Sequence, residues 1–161
     1  MKTAYFASGC FWGTQYYLDK INGVTNTVVG YMGGEIENPS YENVSTGTTG
    51  HVEAVKVEYD PEKVDYKSLV KTFFETHDPT QVGGQGPDIG TQYLSKIFYL
   101  SEDEKQIAED LIKYLIQKGM KIQTKLEPAT EFFTAEEYHQ DYYEKNGQTP
   151  YCHVYRKLFE D

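Results

Sequence analysis

The chain has 161 residues, a formal net charge of −10, 39% hydrophobic residues and 15 tyrosines. That size and balance fit a single soluble globular domain over 1–161 with a substantial core. The acidity argues against a nucleic-acid partner, and no apolar run reaches the roughly 20 residues of a membrane span. Two cysteines, Cys10 and Cys152, stand far apart in the chain and make no disulfide scaffold. The N-terminus lacks the charged and apolar regions of a signal peptide, so the cytoplasm is the expected compartment. A monomer without metal or cofactor is expected.

The first strand is expected over Thr3–Ala7, followed by Ser8-Gly9-Cys10 and a helix. In that helix Trp12, Tyr16, Tyr17 and Ile21 recur at helical spacing. Gly9 permits a sharp turn, which puts Cys10 at or just before the first helical turn. Unpaired backbone N–H groups and the positive dipole end favour a thiolate there, and thiolate is the reactive form. Phe11 and Trp12 supply an aromatic wall suited to an apolar or methylated group. A buried structural cysteine is the plainer alternative. The setting, a strand-to-helix glycine turn beside two aromatics, points to a nucleophile.

Asn22-Gly23 ends the helix, a strand runs from Val24 to Tyr31, and a long polar loop, Gly33 to Gly50, carries Pro39 and Tyr41. The next strand, His51 to Tyr59, holds Glu53 in phase with Val55, Val57 and Tyr59. A carboxylate on the apolar face is raised in pKa toward a proton-donating role; the alternative is that the chain has already left the sheet there and Glu53 is solvated. A helix from Asp65 to His77 gathers Tyr66, Leu69, Val70, Phe73 and Phe74 on one face. A second long loop, Asp78 to Gly90, contains Asp88, and Tyr93 to Leu100 reads as a strand. Tyr41, Asp88 and Tyr93 are each placed either to hydrogen-bond a polar substrate or to anchor a loop. Ser101 and Glu104 form a capping box for a helix that Gly119 ends. Lys121 to Glu127 alternates as a strand, and a short helix is expected near Ala135 to Lys145, with His139 hydrogen-bonded within it. The order begins β-α-β-β-α-β, which is ferredoxin-like and predicts an α+β layer of sheet and helices. The two long loops are expected over the same sheet end as the Cys10 turn.

Gly9-Cys10-Phe11-Trp12-Gly13, Gly50-His51-Val52-Glu53-Ala54-Val55 and Tyr138-His139-Gln140, in this order, resemble the class A peptide methionine sulfoxide reductases. The resemblance covers nearly the whole chain. It implies a ferredoxin-like α+β roll with a mixed sheet, packed helices and an irregular C-terminal tail. It implies thiol-dependent reduction of methionine-S-sulfoxide, free or in proteins, and so repair of oxidised proteins. By the same resemblance Cys10 is the nucleophile, Phe11 and Trp12 hold the S-methyl group, and Glu53 protonates the sulfoxide oxygen. Tyr41 and Tyr93 match the tyrosines that hydrogen-bond that oxygen, and Asp88 matches a supporting aspartate. Cys152, after Tyr151, is similar to a recycling cysteine, with thioredoxin or another dithiol as the implied reductant. The chain departs from the glycine-rich, cysteine-bearing tail of some members and reads His153-Val154-Tyr155-Arg156. The turn-forming run Asn146-Gly147-Gln148-Thr149-Pro150 lets a tail cysteine swing toward Cys10, so the two sulfurs are expected apart at rest. Two other readings use the same residues. A thiol peroxidase has no need of a methyl-sized aromatic pocket. A module that binds oxidised or methylated side chains without turnover leaves Glu53 and the second cysteine surplus.

Overall fold

The computed structural model describes residues 1–34, 37–47, 49–148, 150, 153 and 155–159. In chain order the elements are β1 (Lys2–Ser8), α1 (Phe11–Asp19), β2 (Val24–Met32), α2 (Tyr41–Ser45), β3 (Val52–Tyr59) and α3 (Tyr66–Glu75). There follow β4 (Gly84–Gln85), β5 (Asp88–Ile89), β6 (Ser95–Tyr99), α4 (Glu102–Gln117), β7 (Lys125–Pro128), β8 (Phe133–Thr134) and α5 (Tyr142–Asn146). Short 3₁₀ turns occupy Thr91–Tyr93 and Glu137–His139.

Six strands form the main sheet in the order β7-β6-β1-β3-β2-β8, and β4 and β5 pair separately as a hairpin. The inner four, β6-β1-β3-β2, are antiparallel at every step, the ferredoxin-like order that the sequence predicts. α4 carries the chain back so that β7 lies parallel to β6, which makes the sheet mixed. β8 adds antiparallel to the opposite edge, on β2. The alternation of β1 and β3 puts Phe6, Val55 and Val57 on one face, where they pack with Leu69, Val70, Phe73 and Phe74 of α3 and Leu111 and Leu115 of α4. Ala7, Met32, Val52, Ala54 and Phe98 form a smaller cluster on the other face. Helix starts follow their caps: Asp65 Oδ1 accepts the Ser68 N–H at 2.8 Å and Ser101 Oγ accepts the Glu104 N–H at 3.2 Å.

Four local expectations are corrected. Tyr93 does not begin a strand but closes the 3₁₀ turn, and β6 starts at Ser95. Lys121–Thr124 stays outside the sheet because only Lys125–Pro128 finds a ladder on β6; the Gln123 N–H goes to Pro79 O at 2.7 Å instead. The long loops are partly built: Gly33–Gly50 contains α2, started by a Ser40–Asn43 capping box, and Asp78–Gly90 contains the β4–β5 hairpin. The tail helix is divided, because Asp141 takes a left-handed φ of 53° between the second 3₁₀ turn and α5.

Beyond that, three of the described C-terminal residues are tied to the body. Tyr17 Oη donates to His153 O at 3.1 Å, and the Glu75 carboxylate accepts the N–H groups of Leu158 and Phe159 at 2.9 and 3.2 Å. No helix among the described residues is long and apolar enough to cross a membrane.

Gly9 turns the chain from β1 into α1 with φ of +93°, and its missing side chain leaves room for the β4–β5 hairpin. A Cβ at this position would lie 2.4 Å from Gln85 Cβ. Gly9→Ala is therefore expected to cost about 2 kcal/mol or more through backbone strain and overpacking. Urea unfolding measures it; an unchanged midpoint would contradict the close approach.

Candidate active site

The turn after β1 sets Cys10 as the N-cap of α1, 6% exposed. Its carbonyl accepts the N–H groups of Gly13 and Thr14 at 3.2 and 3.3 Å, and the Thr14 hydroxyl as well at 3.3 Å. Ser8 Oγ and Thr14 Oγ1 lie 2.7 Å apart, so the turn is braced from inside. Phe11, the first residue of α1, presents one of the helix's orphan N–H groups.

Glu53 takes that N–H. Its Oε1 accepts from Phe11 N at 3.2 Å, while Oε2 is buried with no hydrogen-bond partner. Glu53 stands directly opposite Tyr31 in the β2–β3 ladder and is 2% exposed, which resolves the sequence alternatives in favour of the buried face. Burial, then repulsion from Cys10, pushes its pKa well above the ordinary value of 4.5; the Phe11 hydrogen bond opposes this, and Asp88 adds to it. With Oε1 occupied as an acceptor, the proton of a neutral Glu53 carboxyl would sit on Oε2.

Tyr41 and Tyr93 stand close enough to influence each other's ionisation, and the Glu53 and Asp88 carboxyls disfavour a phenolate at either. Burial first, and Glu53 second, raise the pKa of both, so both stay protonated donors at neutral pH. α2 presents Tyr41 and the first 3₁₀ turn presents Tyr93. The two segments are stitched by Thr91 Oγ1 to Gly47 O at 3.0 Å and Gln92 Nε2 to Ser45 O at 3.3 Å. Asp88 reaches the same neighbourhood from β5, opposite Gln85.

The aromatic wall is larger than Phe11 and Trp12. The Phe11 ring meets Tyr31 at 5.7 Å and His139 at 5.2 Å. The Trp12 indole stacks on Tyr142 at 3.7 Å with planes 6° apart, and its Nε1–H donates to His139 Nδ1 at 3.0 Å. That acceptor role places the proton of the neutral imidazole on Nε2, an atom buried without a partner. Burial holds the His139 pKa below its ordinary value, against the pull of Glu136. The Tyr41 ring lies 4.6 Å from the His139 ring and closes the wall. His139 is hydrogen-bonded, as the sequence predicts, but it sits in a 3₁₀ turn and orients the indole. Gln140 explains the end of its motif, since its side-chain amide bonds both the N–H and the C=O of Val29 at 2.9 and 3.0 Å.

Cys10, Phe11, Trp12, Glu53, Tyr41, Tyr93 and Asp88 thus meet at one end of the sheet. Cys152 lies outside the described residues. The one cluster of possible metal ligands among the described residues, Asp19, Asp141 and Glu144, is acidic only and lies at the α1–α5 contact. A thiol, a buried carboxyl of raised pKa and two hydroxyls beside an aromatic wall suit reduction of a small polar group carried next to a methyl.

A family model described as peptide methionine sulfoxide reductase matches residues 2–161. The chain belongs to that family. It is 48% identical over 158 residues to the peptide methionine sulfoxide reductase MsrA of Methanothermobacter thermautotrophicus, covering 96% of this chain and 93% of that one. Among solved structures it is similar to Saccharomyces cerevisiae Mxr1 in reduced form, with a TM-score of 0.88 and 38% identity over 96% of this chain and 92% of that one. Mxr1 in complex with Trx2 also matches, with a TM-score of 0.65 and 28% identity over 96% of this chain and 89% of that one.

Proposed function

We propose that this chain reduces methionine-S-sulfoxide, free or in polypeptides, to methionine, with Cys10 as nucleophile and Glu53 as acid. The observation that carries the reading is the buried Glu53 carboxyl, one oxygen on the Phe11 N–H and the other unpartnered, beside the Cys10 turn. Sulfoxide oxygen leaves sulfur only as it is protonated. The Cys10 thiolate brings an electron pair to the sulfoxide sulfur while Glu53 gives a proton to the oxygen, and Tyr41 and Tyr93 stabilise charge there. Phe11 and Trp12 hold the S-methyl, and Asp88 supports the two tyrosines. Oxygen passes to Cys10, which becomes a sulfenic acid, and the substrate sulfur is reduced to the thioether of methionine. The Cys152 thiol then condenses with the sulfenic acid, releasing water and forming a disulfide. A dithiol reopens that disulfide by exchange and is itself oxidised. Thioredoxin is the dithiol favoured here, because the similar Mxr1 has been captured with Trx2. Thiol chemistry of this kind fits a reducing compartment, the cytoplasm, and a monomer suffices because one chain supplies every group.

The test is methionine release from the separated S and R sulfoxides with dithiothreitol as reductant. Methionine from the S epimer is expected, and none from either epimer would overturn the reading. Consumption of hydrogen peroxide without methionine release would favour the thiol peroxidase. Cys152→Ser is expected to yield one equivalent of methionine, accumulate a dimedone-trappable sulfenic acid and lose most thioredoxin-dependent turnover. Full turnover in that variant would remove Cys152 from the cycle.

A further inference from the structure

Glu136, between β8 and the second 3₁₀ turn, is used by none of the steps above, yet its carboxylate gathers three donors. Oε1 accepts from Tyr31 Oη at 3.1 Å; Oε2 accepts from the Tyr41 N–H at 3.2 Å and, more loosely, from Tyr138 Oη at 3.4 Å. These donors come from different parts of the site. Tyr31 faces Glu53 across the ladder and packs on Phe11. The Tyr41 N–H is the first of α2. The Glu136 backbone carbonyl in addition accepts the His139 N–H at 3.0 Å, within the turn whose imidazole holds Trp12.

α2 has five residues, too few to be stable without tertiary support. Its C-terminal end is fastened to the turn bearing Tyr93. At its N-terminal end the Ser40–Asn43 capping box is local and ties the helix to nothing outside itself. Glu136 supplies the external tie there, joining α2 to the Tyr31 side chain of β2. Burial pushes the Glu136 carboxyl up, but hydrogen bonds from its own N–H, the Tyr41 N–H and the Tyr31 hydroxyl together hold it below its ordinary value. It is thus an ionised acceptor, and charge-assisted bonds are the stronger kind.

We infer that Glu136 is a positioning residue for the reaction: by holding the first N–H of α2 against Tyr31, it sets where the Tyr41 hydroxyl meets the sulfoxide oxygen. This rests on the reading of Tyr41 given under Proposed function. Glu136→Gln keeps the size of the side chain but removes the charge and turns one acceptor into a donor facing donors.

The experiment is a double-mutant cycle on the single-turnover rate of methionine formation, using Glu136→Gln, Tyr41→Phe and the pair. Glu136→Gln is expected to slow the first turnover about tenfold, since small misplacements of a catalytic group carry costs of this order. In the Tyr41→Phe background the same change is expected to cost less than about twofold, because the group it positions is gone. A residue that only stabilises the fold would give equal losses in both backgrounds, and that result, or a wild-type rate for Glu136→Gln, overturns the inference. If Tyr41→Phe alone leaves the rate unchanged, the reading of Tyr41 falls and the role of Glu136 falls with it. Glu136→Asp keeps the charge and shortens the reach; it is expected to show the same coupling and serves if the glutamine variant does not fold.

Discussion

Replacing Glu53 with glutamine is expected to slow methionine formation in a single turnover by about 10²–10⁴-fold, the usual worth of a positioned acid. Glutamine has nearly the same shape, and its carbonyl oxygen still accepts the Phe11 N–H. The expected loss is therefore one of proton transfer and not of architecture. The pH dependence separates the two. In the folded protein the Glu53 carboxyl is raised well above 4.5, by burial first and Cys10 second. The wild-type first-turnover rate should fall as pH climbs through that raised value, because the carboxyl loses the proton it must give. Stability should move the same way. Above 4.5 the unfolded chain releases the Glu53 proton while the folded chain keeps it, so the native state binds more protons and loses stability as pH rises toward the folded pKa. The glutamine variant has no proton to lose there, and its melting temperature should change less over the same range. A wild-type rate in the variant, or melting curves with the same pH dependence, would count against a neutral Glu53.

The parts legible in the sequence are those whose signal is local and periodic. Glu53 is in phase with Val55 and Val57, which leaves only whether the strand reaches that far; its place opposite Tyr31 in the ladder decides it. Gly9 before Cys10 announces the turn because few other residues accept a φ of +93°. The strand order follows from connections that allow few alternatives once β-α-β-β-α-β is read. Four short elements escape, since they show no period: β4, β5 and β8 exist because a partner lies beside them, and α2 because its ends are held elsewhere. Asp141 offers a further case. Nothing near it forbids a continuous tail helix, yet its N–H is taken by Gln15 Oε1 of α1 at 2.8 Å and the chain bends there. The pairing of Trp12 with His139 spans 127 residues and is a tertiary event; its only sequence trace is the Tyr138-His139-Gln140 motif. Glu136 leaves no trace of its own, because one acid in an acidic chain looks like surface.

Cys10→Ser is expected to abolish methionine formation while the fold persists, and the position of Cys10 explains both halves. An N-cap side chain is not part of a packed ladder, and Cys10 makes no capping hydrogen bond. Serine is a good N-cap and is nearly the same size, so thermal stability should be kept or slightly raised. The chemistry, by contrast, needs an electron pair that attacks sulfur at neutral pH, and an alcohol is a far weaker nucleophile than a thiolate. The rate should fall to less than about a thousandth of wild type. A faster serine variant would mean that another group attacks the sulfoxide. Removing the thiol also removes the second-largest cause of the raised Glu53 pKa, leaving burial as the main one. The Glu53 carboxyl of the serine variant should then titrate lower than in wild type, though still above the ordinary value. By linkage the stability lost with rising pH should be smaller in the serine variant than in wild type, and smaller still in Glu53→Gln. That ranking of three melting profiles tests whether Cys10 and Glu53 share one electrostatic site, independently of any activity. Identical profiles for wild type and Cys10→Ser would mean that Cys10 carries no charge that Glu53 feels over that pH range.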